Sequence, residues 1–398
     1  MQNPPIPANE MERIITLSEY DLDYSSLNES FKDLAKLAAK VAGTSISLVN
    51  LIDTFTQWSV SNYGLEIEQM PREDSVCQYT IMTDNFFEVE DLTADNRFKD
   101  KFYVTDAPHL RYYYGIPLKT EKGSNLGALC VLDREARELS PEKLELLKII
   151  AGEIVNRLKA FKAIDSLRNK LHEANETKKK VAHDIRGPLG GIIGLAQVIS
   201  EQGKENQIDE VLEFINLIYK SGRSILDLAD EILTSEKTQA LKADEFNLNV
   251  FKDKLEKLYL PQALNKNIRF EVHLSPASAS VPFSKNKLLQ ITGNLISNAL
   301  KFTPKDGTVT ADLNLKVEKG RKDHLRIKVT DTGVGLDKKA IETILKGNAS
   351  STEGTVGEQG FGFGLALVKH LIDSLKGELH IYSEPGQGAT FEVNLPQG

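Results

Sequence analysis

A histidine and an aspartate stand side by side in the segment HDIRGPL, as His183 and Asp184. Neutral imidazole is a good nucleophile near neutral pH, because its unperturbed pKa is about 6.5. A neighbouring carboxylate can orient the ring or accept its proton. Pro188 follows inside an expected helix, where proline removes a hydrogen bond and bends the chain. We expect an exposed histidine before that bend, and this motif alone favours an ordinary surface histidine over a reactive one.

Two amides and an amine are spaced along one face of the predicted helix in NLISNALKFTP. Asn294, Asn298 and Lys301 stand at i, i+4 and i+7, and apolar residues occupy another side. Amide oxygens are hard ligands for Mg²⁺, and lysine meets phosphate as a point charge. The pattern indicates a metal–polyphosphate site, with a plain surface helix as the alternative.

Two glycine-rich turns follow along the chain. In DTGVGL, Asp331 ends a predicted strand beside Gly333 and Gly335. Its carboxylate could accept a hydrogen bond from an exocyclic amine while the backbone lies close to a flat ring, and a tight turn is the alternative. The second turn, GFGFGL, opens a predicted helix, where backbone N–H groups and the helix dipole favour phosphate. It is neither a Walker P-loop nor a Rossmann fingerprint.

The histidine lies in a long helical stretch. Ser140 is an expected N-cap with Pro141 at the first helical position. From Ile164 onward apolar residues step by three and four, a heptad seam that predicts pairing of two chains. A second helix with a broad apolar face spans Ile208 to Ile232. A hairpin this apolar cannot bury its face alone, so we expect it to dimerise into a four-helix bundle.

Helices and strands alternate in the rest of the chain. After Phe246 the candidate strands are IRFEVHL, GTVTADLNLKV, HLRIKVTD, GELHIYS and ATFEVNL, which indicate an α+β domain with a mixed or antiparallel sheet. The polar segment KGNASSTEGTVGEQG has the composition of a lid or binding loop. Near the N-terminus, a helical FKDLAKLAAKV precedes the strand-like SISLVNLID, and YYYGIPLKT and LGALCVLD form a predicted hairpin.

Composition narrows the class of protein. The 398 residues predict two or three domains, and 40% apolar residues are typical of a globular chain. A net charge of −8 argues against a nucleic-acid partner. Two cysteines exclude a disulfide framework. No apolar run approaches the ~20 residues of a membrane span, and no secretory signal opens the sequence, so we expect a cytoplasmic protein.

In this order and spacing, the motifs from about Leu167 to Pro396 resemble sensor histidine kinases of two-component signalling. The resemblance implies a dimeric phosphoacceptor hairpin, followed by the ATP-binding domain shared with gyrase and Hsp90-type ATPases. GQGATFEV fits the closing turn and strand of that domain. His183 would be the phosphoacceptor and Asp184 the neighbouring acid–base residue.

The same resemblance implies ATP and Mg²⁺ as cofactors. Asn298 would ligate Mg²⁺, with Asn294 and Lys301 assisting at the metal and phosphates, and Asp331 would bind the adenine amine. The glycines that would shape the pocket are Gly333, Gly335, Gly360, Gly362 and Gly364.

The sequence departs from the family pattern in two places. Gly187 stands where the family often has a Thr or Asn that assists dephosphorylation of the partner, so we expect weak phosphatase activity. The family's aromatic pair before the lid is not evident in AIETILKGN, so the lid is expected to pack differently.

Residues 14–158 resemble a GAF sensor domain in the stretches SISLVNLID…QW, MPREDSVCQYTI, VEDLTADNRF and RYYYGIPL…GSNLGALCVLD. The resemblance does not identify a ligand. Cys77 could carry a bilin or act as a redox switch; we favour a buried thiol, because Arg72 is the only basic residue near it in sequence that would lower its pKa. Trp58 and Tyr112–Tyr114 are expected in the core or a pocket wall.

We therefore predict a multidomain α+β protein with a GAF α/β sensor domain, a dimeric helical hairpin and an α/β sandwich that binds ATP. The expected segments are a loose terminus (1–10), the GAF domain (11–158), a coiled-coil signalling helix (159–182), the hairpin (183–240) and the ATP-binding domain (241–398).

The expected activity is autophosphorylation of His183 in a homodimer. The phosphoryl group would then pass to an Asp of a separate response regulator, because no receiver domain follows the last strand, and the GAF domain would control the reaction. A non-catalytic ligand-sensing dimer and a bilin photoreceptor kinase are alternatives. An ATP hydrolase is disfavoured, because the resemblance places its water-activating carboxylate where Asn294 stands.

Overall fold

The computed structural model describes residues 6–202, 208–234, 246–281, 283, 287–318, 321–346 and 363–397. The chain divides into two compact units, one formed by Met1–Ala163 with Ala243–Gly398 and the other by Ile164–Lys242. The first unit contains two β-sheets, and the second is helical. Across these described ranges, no helix is both long enough and apolar enough to cross a membrane.

The N-terminal part of the first unit is built on an antiparallel sheet. Its strands are β1 (Ile46–Ile52), β2 (Thr56–Tyr63), β3 (Gln69–Pro71), β4 (Phe87–Val89), β5 (Tyr112–Lys119) and β6 (Asn125–Asp133). They lie in the order β3-β2-β1-β6-β5-β4. The helices of this part are α1 (Glu10–Ser18), α2 (Asn28–Ala42), α3 (Cys77–Thr80) and α4 (Phe102–Thr105). The hairpin predicted from sequence is confirmed as the antiparallel pair β5–β6.

Strand β1 is apolar on both faces because both faces are covered. Val49 and Leu51 belong to a core that also includes residues of α2 and α5, whereas Leu48 and Ile52 belong to a second core with α3 and α4. A strand buried on both sides reads as a continuous apolar run, which is the pattern of SISLVNLID.

The sequence pattern assigns Glu10 to the loose terminus, whereas the structure packs it into the GAF domain. Glu10 is the first residue of α1 and is 1% exposed. Its carboxylate accepts hydrogen bonds from Arg13 at 2.8 and 2.7 Å and from Arg72 at 2.5 Å. Buried charges occur where they are paired, and this cluster ties α1 to the segment after β3.

The predicted long helix is confirmed as α5 (Pro141–Gln202). Ser140 caps it, because its Oγ accepts the N–H of Lys143 at 3.4 Å. The helix continues through Pro188. The second predicted helix is α6 (Ile208–Thr234). Among the described side chains of the second unit, the large apolar ones that are more than half exposed are Leu167, Ile193, Ile208, Leu212, Ile215, Tyr219 and Leu226.

The C-terminal part is an α/β sandwich. Its helices are α7 (Leu248–Asn265), α8 (Leu288–Phe302), α9 (Lys338–Leu345) and α10 (Gly364–Ser374). Its strands are β7 (Arg269–Leu274), β8 (Thr308–Glu318), β9 (Arg321–Asp331), β10 (Glu378–Ser383) and β11 (Ala389–Pro396), in the order β10-β11-β9-β8-β7. Only the β7–β8 pair is parallel among these strand pairs, so the sheet is mixed, which is one of the two arrangements that the sequence left open.

The sandwich buries one face of its sheet. Along β9, Leu325, Ile327 and Val329 are fully buried, and the residues between them are exposed or half-buried. This period of two places every second side chain against the helical layer. Helix α8 lies within that layer and is buried along most of its length, so its polar residues are held in fixed positions.

Candidate functional site

The polar face of α8 is buried, although it carries two amides and an ammonium group. Asn294 is 3% exposed, and Asn298 and Lys301 are each 7% exposed. Asn294 donates from Nδ2 to the carbonyl oxygen of Gln290 at 2.9 Å, but its Oδ1 has no hydrogen-bond partner in the described part of the chain. The Nδ2 of Asn298 likewise has no partner there. Unpaired buried polar atoms are costly, so such a row is typical of a site that binds a ligand.

Gln290 extends this face by one turn and was not singled out from sequence. It is 6% exposed, and neither its Oε1 nor its Nε2 has a partner among the described residues. The signal was present in the sequence, because Gln290, Asn294 and Asn298 are each four positions apart. Polar residues at i, i+4 and i+8 follow one line along a helix.

One side-chain oxygen on α8 is suited to ligate a magnesium ion. The unpartnered amide oxygen belongs to Asn294, whereas the unpartnered atom of Asn298 is a nitrogen. Mg²⁺ takes oxygen ligands and keeps several waters. Asn294 Oδ1 therefore meets the chemical requirement, and the sequence-based assignment of the metal to Asn298 stays a prediction.

Asp331 ends β9 in a buried position and is held by backbone groups. Its Oδ1 accepts the N–H of Gly333 at 2.8 Å and that of Ala389 at 3.2 Å. Burial raises the pKa of Asp331, and these two N–H groups oppose the rise by favouring the ionised form. The carboxylate is thus fixed in orientation and can accept a further hydrogen bond from a ligand amine.

The glycines beside Asp331 are required by the protein's own packing. A Cβ on Gly333 would lie 2.4 Å from the carbonyl oxygen of Phe302, at the end of α8. Gly335 has a φ of +70°, and a Cβ there would lie 2.1 Å from the carbonyl oxygen of Glu384. The N–H of Val334 also donates to Phe302 at 3.2 Å. This turn therefore packs closely against the C-terminal end of α8 through Gly333 and Val334.

The second glycine-rich turn meets the same helix nearer its middle. Gly364 is the first residue of α10, and a Cβ placed on it would lie 3.1 Å from Oδ1 of Asn294. The N-terminal end of α10 therefore faces the unpartnered amide oxygen. Helix N-termini favour anions, so this end of α10 suits a phosphate group.

Several predicted residues cannot be compared with the structure. Gly360, Gly362 and the segment expected to form the lid lie outside the described residues, except for Lys346. His183 and Asp184 lie in α5, but their side chains are outside what the structure describes.

Cys77 is buried in the GAF region, as expected, but its surroundings are more polar than expected. Its Sγ is 3.2 Å from Asn50 Nδ2, 3.3 Å from the hydroxyl of Tyr113 and 3.8 Å from Sγ of Cys130. Burial opposes ionisation, yet hydrogen bonds from these three groups lower the pKa of Cys77 below its usual value. The sequence indicated Arg72 as the one basic neighbour, whereas the groups that lower this pKa are neutral and distant in sequence. Trp58 and Tyr112–Tyr114 lie in the core, as predicted.

Three family profiles match the chain in succession. The GAF domain family matches residues 26–158, and the His Kinase A (phospho-acceptor) domain matches residues 178–241. The histidine kinase-, DNA gyrase B- and HSP90-like ATPase family matches residues 284–398. The last match implies that this domain uses ATP, and it includes the polar face of α8, Asp331 and Gly364.

The chain is also similar to parts of individual curated proteins. The autoinducer 2 sensor kinase/phosphatase LuxQ of Vibrio vulnificus (strain CMCP6) is 32% identical over 262 residues, which cover 62% of this chain and 30% of that protein. LuxQ of Vibrio parahaemolyticus is 27% identical over 406 residues, which cover 96% of this chain and 44% of that protein. A cyclic di-GMP phosphodiesterase of Pseudomonas aeruginosa is 37% identical over 164 residues, which cover 41% of this chain and 28% of that protein.

The chain spans less than half the length of these curated relatives. Its own three domains nevertheless follow one another in a characteristic order, with a GAF domain, a phospho-acceptor domain and an ATPase domain. This domain content and order match those of sensor histidine kinases.

Proposed function

We propose that this chain is an ATP-dependent protein-histidine kinase that phosphorylates His183 and passes the phosphoryl group to an Asp of a response regulator. The observation that carries the proposal is the position of α8. Its middle faces the first residue of α10 at Asn294, and its end receives the turn after Asp331 at Phe302. The buried helix α8 thus connects a phosphate-binding site near Asn294 with a purine-binding site near Asp331.

Each end of this site has a separate binding task. Asp331 accepts a hydrogen bond from the adenine amine, because its ionised carboxylate is already oriented by Gly333 and Ala389. Lys301 and the N-terminal end of α10 meet the phosphates. Asn294 and Asn298 would hold Mg²⁺, which neutralises charge on the phosphate oxygens when bound. The side chains of α8 need little rearrangement, since the helix is already packed in the sandwich.

The phosphoryl transfer requires a neutral imidazole. A ring nitrogen of His183 attacks the γ-phosphorus of ATP, an N–P bond forms, and the bond to the bridging β–γ oxygen breaks, so that ADP leaves. The proton of the attacking imidazole passes to Asp184, which stands next to His183 in sequence. Transfer then regenerates His183, because the acceptor carboxylate takes the phosphoryl group.

We also propose that the chain acts as a homodimer under control of the GAF domain. Supporting this, α6 exposes apolar side chains along its length, with Ile208 78% and Tyr219 67% exposed. Pairing of two hairpins would bury such a surface. Helix α5 runs without interruption from the end of the GAF domain through Pro188, which provides a continuous element for signal transmission.

Incubation with γ-labelled ATP and Mg²⁺ tests the proposal. Wild-type protein should acquire a label that is stable to alkali and labile to acid, and His183→Gln should acquire none. His380→Gln is the matched control, because His380 lies on β10 beside Glu378, at 3.4 Å, and should label normally. Label retained in His183→Gln would refute the assigned phosphoacceptor. Absence of both labelling and nucleotide binding in the wild type would refute the kinase activity.

A further inference from the structure

A turn of the GAF sheet lies against the phosphate end of the candidate ATP site. Phe55 belongs to the short connection between β1 and β2. A Cβ on Gly364 would lie 2.6 Å from Cε2 of Phe55, as well as 3.1 Å from Oδ1 of Asn294. Nζ of Lys301 is 5.9 Å from the centre of the Phe55 ring. The aromatic ring therefore occupies the volume between the start of α10 and the polar face of α8.

The backbone holds this ring in place. The N–H of Asp53 donates to the carbonyl oxygen of Thr56 at 2.9 Å, and the N–H of Arg72 donates to that of Phe55 at 2.8 Å. The carboxylate of Asp53 also accepts the N–H of Thr54 at 2.7 Å. Because both sides of the turn are tied to the sheet, the position of Phe55 follows the position of the GAF domain.

Polar contacts join the GAF domain to the ATP-binding domain beside this turn. Lys254 of α7 forms an ion pair with Asp23, and the N–H of Lys287 donates to Asp21 at 3.1 Å. Burial alone would raise the pKa of Asp23, but Lys254 and Ser25 hold it below its usual value. Further hydrogen bonds run from Gln262 to Gln69 (2.7 Å), from Gln69 to Leu258 (3.0 Å) and from Lys257 to Ser25 (3.1 Å).

Aromatic residues continue this contact to α8. Trp58 stacks on Tyr24 at 5.1 Å and meets Tyr259 of α7 edge-on at 6.0 Å. Tyr259 in turn packs against Gly293, where a Cβ would lie 1.9 Å from the tyrosine hydroxyl. Gly293 precedes Asn294, so the contact reaches the candidate nucleotide site from a second direction.

We propose that the docked GAF domain closes the ATP site with Phe55, and that nucleotide binding requires the β1–β2 turn to withdraw. This inference rests on the proposed function, since it assigns regulation to the same site. A triphosphate needs polar ligands and open volume at Asn294, Lys301 and the start of α10, whereas an aromatic ring there offers neither. The apparent affinity for nucleotide is then reduced by the fraction of molecules in which the turn is docked.

Docking of the GAF domain and nucleotide binding therefore oppose each other to the same extent in both directions. A signal that favours the undocked GAF domain raises the affinity for nucleotide, and bound nucleotide raises the affinity for that signal by the same factor. Trp58 is the single tryptophan of the chain and lies in the interface, so its fluorescence reports on docking directly.

The test uses the full chain, a non-hydrolysable ATP analogue with Mg²⁺, and calorimetry together with Trp58 emission. Phe55→Ala should bind the analogue about tenfold more tightly than the wild type, because the ring no longer competes for the site. Phe102→Ala is the matched control, since Phe102 is an exposed GAF phenylalanine on α4, and it should bind within twofold of the wild type. Saturation of the wild type should shift the emission of Trp58.

A second variant separates docking from the ring itself. Lys254→Glu places two carboxylates together at the interface and leaves Phe55 and the nucleotide site intact, so it should also bind the analogue several-fold more tightly. Adding Asp23→Lys restores an opposite-charge pair and should return the affinity towards the wild-type value. Rescue of this kind would not follow from a general loss of stability.

The possible results distinguish this inference from the kinase activity. Equal affinity of the wild type, Phe55→Ala and Lys254→Glu, with Trp58 emission unchanged at saturation, would refute the docking mechanism while leaving ATP binding in place. Absence of nucleotide binding in all variants would refute the ATP site, and the regulation of that site with it. Tighter binding in both variants, with rescue by Asp23→Lys, would support both.

Discussion

Buried polar side chains are arranged differently in the GAF domain and along α8 of the ATP-binding domain. Around Glu10, two arginines donate to both carboxylate oxygens. Along α8, Gln290, Asn294 and Asn298 have buried atoms without partners in the described part of the chain. Leaving such a group unpaired costs about 1–3 kcal/mol. The comparison separates a buried carboxylate whose two oxygens are both paired within the protein from a row of amides that a ligand would complete.

This difference predicts which residues affect stability and which affect activity. A residue of the Glu10 cluster should change the free energy of unfolding, since its partners are all within the protein. A residue of the α8 row should change nucleotide chemistry with little effect on unfolding.

The largest effect is expected for Glu10→Gln. Removing the charge leaves Arg13 and Arg72 buried without their shared carboxylate, and breaking a buried pair in this way costs about 3–5 kcal/mol. Chemical denaturation of the purified variant measures the loss. Glu12→Gln is the matched control, because Glu12 is exposed on the same helix. Equal stability of the two variants would show that the cluster does not hold α1 in place.

The next effect is expected for Asn298→Ala. Autophosphorylation should fall about 100-fold, because an amide is lost beside the phosphates, in the range seen when one electrostatic group is removed from an active site. The free energy of unfolding should change by about 1 kcal/mol or less, since the amide nitrogen of Asn298 has no hydrogen-bond partner among the described residues. Labelling rates and denaturation of the same preparation measure both. A large loss of stability with normal labelling would mean that Asn298 stabilises the fold and does not take part in the nucleotide chemistry.

Asp331→Ala should weaken ATP binding about tenfold. A hydrogen bond to a charged group contributes about 1.5–3 kcal/mol, and tenfold corresponds to about 1.4 kcal/mol. Binding of GTP, which lacks the exocyclic amine at that position, should change little. Calorimetric titration with both nucleotides tests the assignment. Equal weakening for ATP and GTP would mean that Asp331 acts by shaping the turn and not by recognising the base.

The smallest effect is a pH dependence of the Glu10 cluster. Burial opposes ionisation of Glu10, but Arg13 and Arg72 hold its pKa below the usual 4.5. The stability that this depressed pKa contributes is present above about pH 4.5 and is lost as pH falls through the lower folded value. The stability difference between wild type and Glu10→Gln should therefore narrow between pH 7 and pH 3. A constant difference would show that Glu10 does not titrate in this range.

Local patterns were sufficient for most elements. The helices α5 and α6, the β5–β6 hairpin and the five strands of the sandwich were all predicted, because their periodicities of 3.6 and 2 record which side is buried. Two members of the row on α8, Asn294 and Asn298, were singled out for the same reason, since residues four positions apart share a face whatever the helix packs against. Gln290 stands at the same spacing but was not singled out.

Contacts between distant parts of the chain were not predictable in this way. Glu10 was placed in a loose terminus because its partner Arg72 is 62 positions away. Cys77 was expected to be a buried thiol, and its partners Asn50, Tyr113 and Cys130, which reach it from three strands of the sheet, were not predicted. Charges and hydrogen bonds carry no periodicity, so only the folded structure identifies such partners.

The sequence by itself determined the domain order, the chemistry of the candidate site residues and the elements that carry them, because these depend on residue type and local spacing. Only the tertiary structure placed Phe55 at the start of α10, Gly333 against the end of α8 and Trp58 against Tyr259. The contact of Gly333 joins two elements of one domain, whereas those of Phe55 and Trp58 join different domains. All three bring together residues far apart in sequence, and no short-range pattern encodes such contacts.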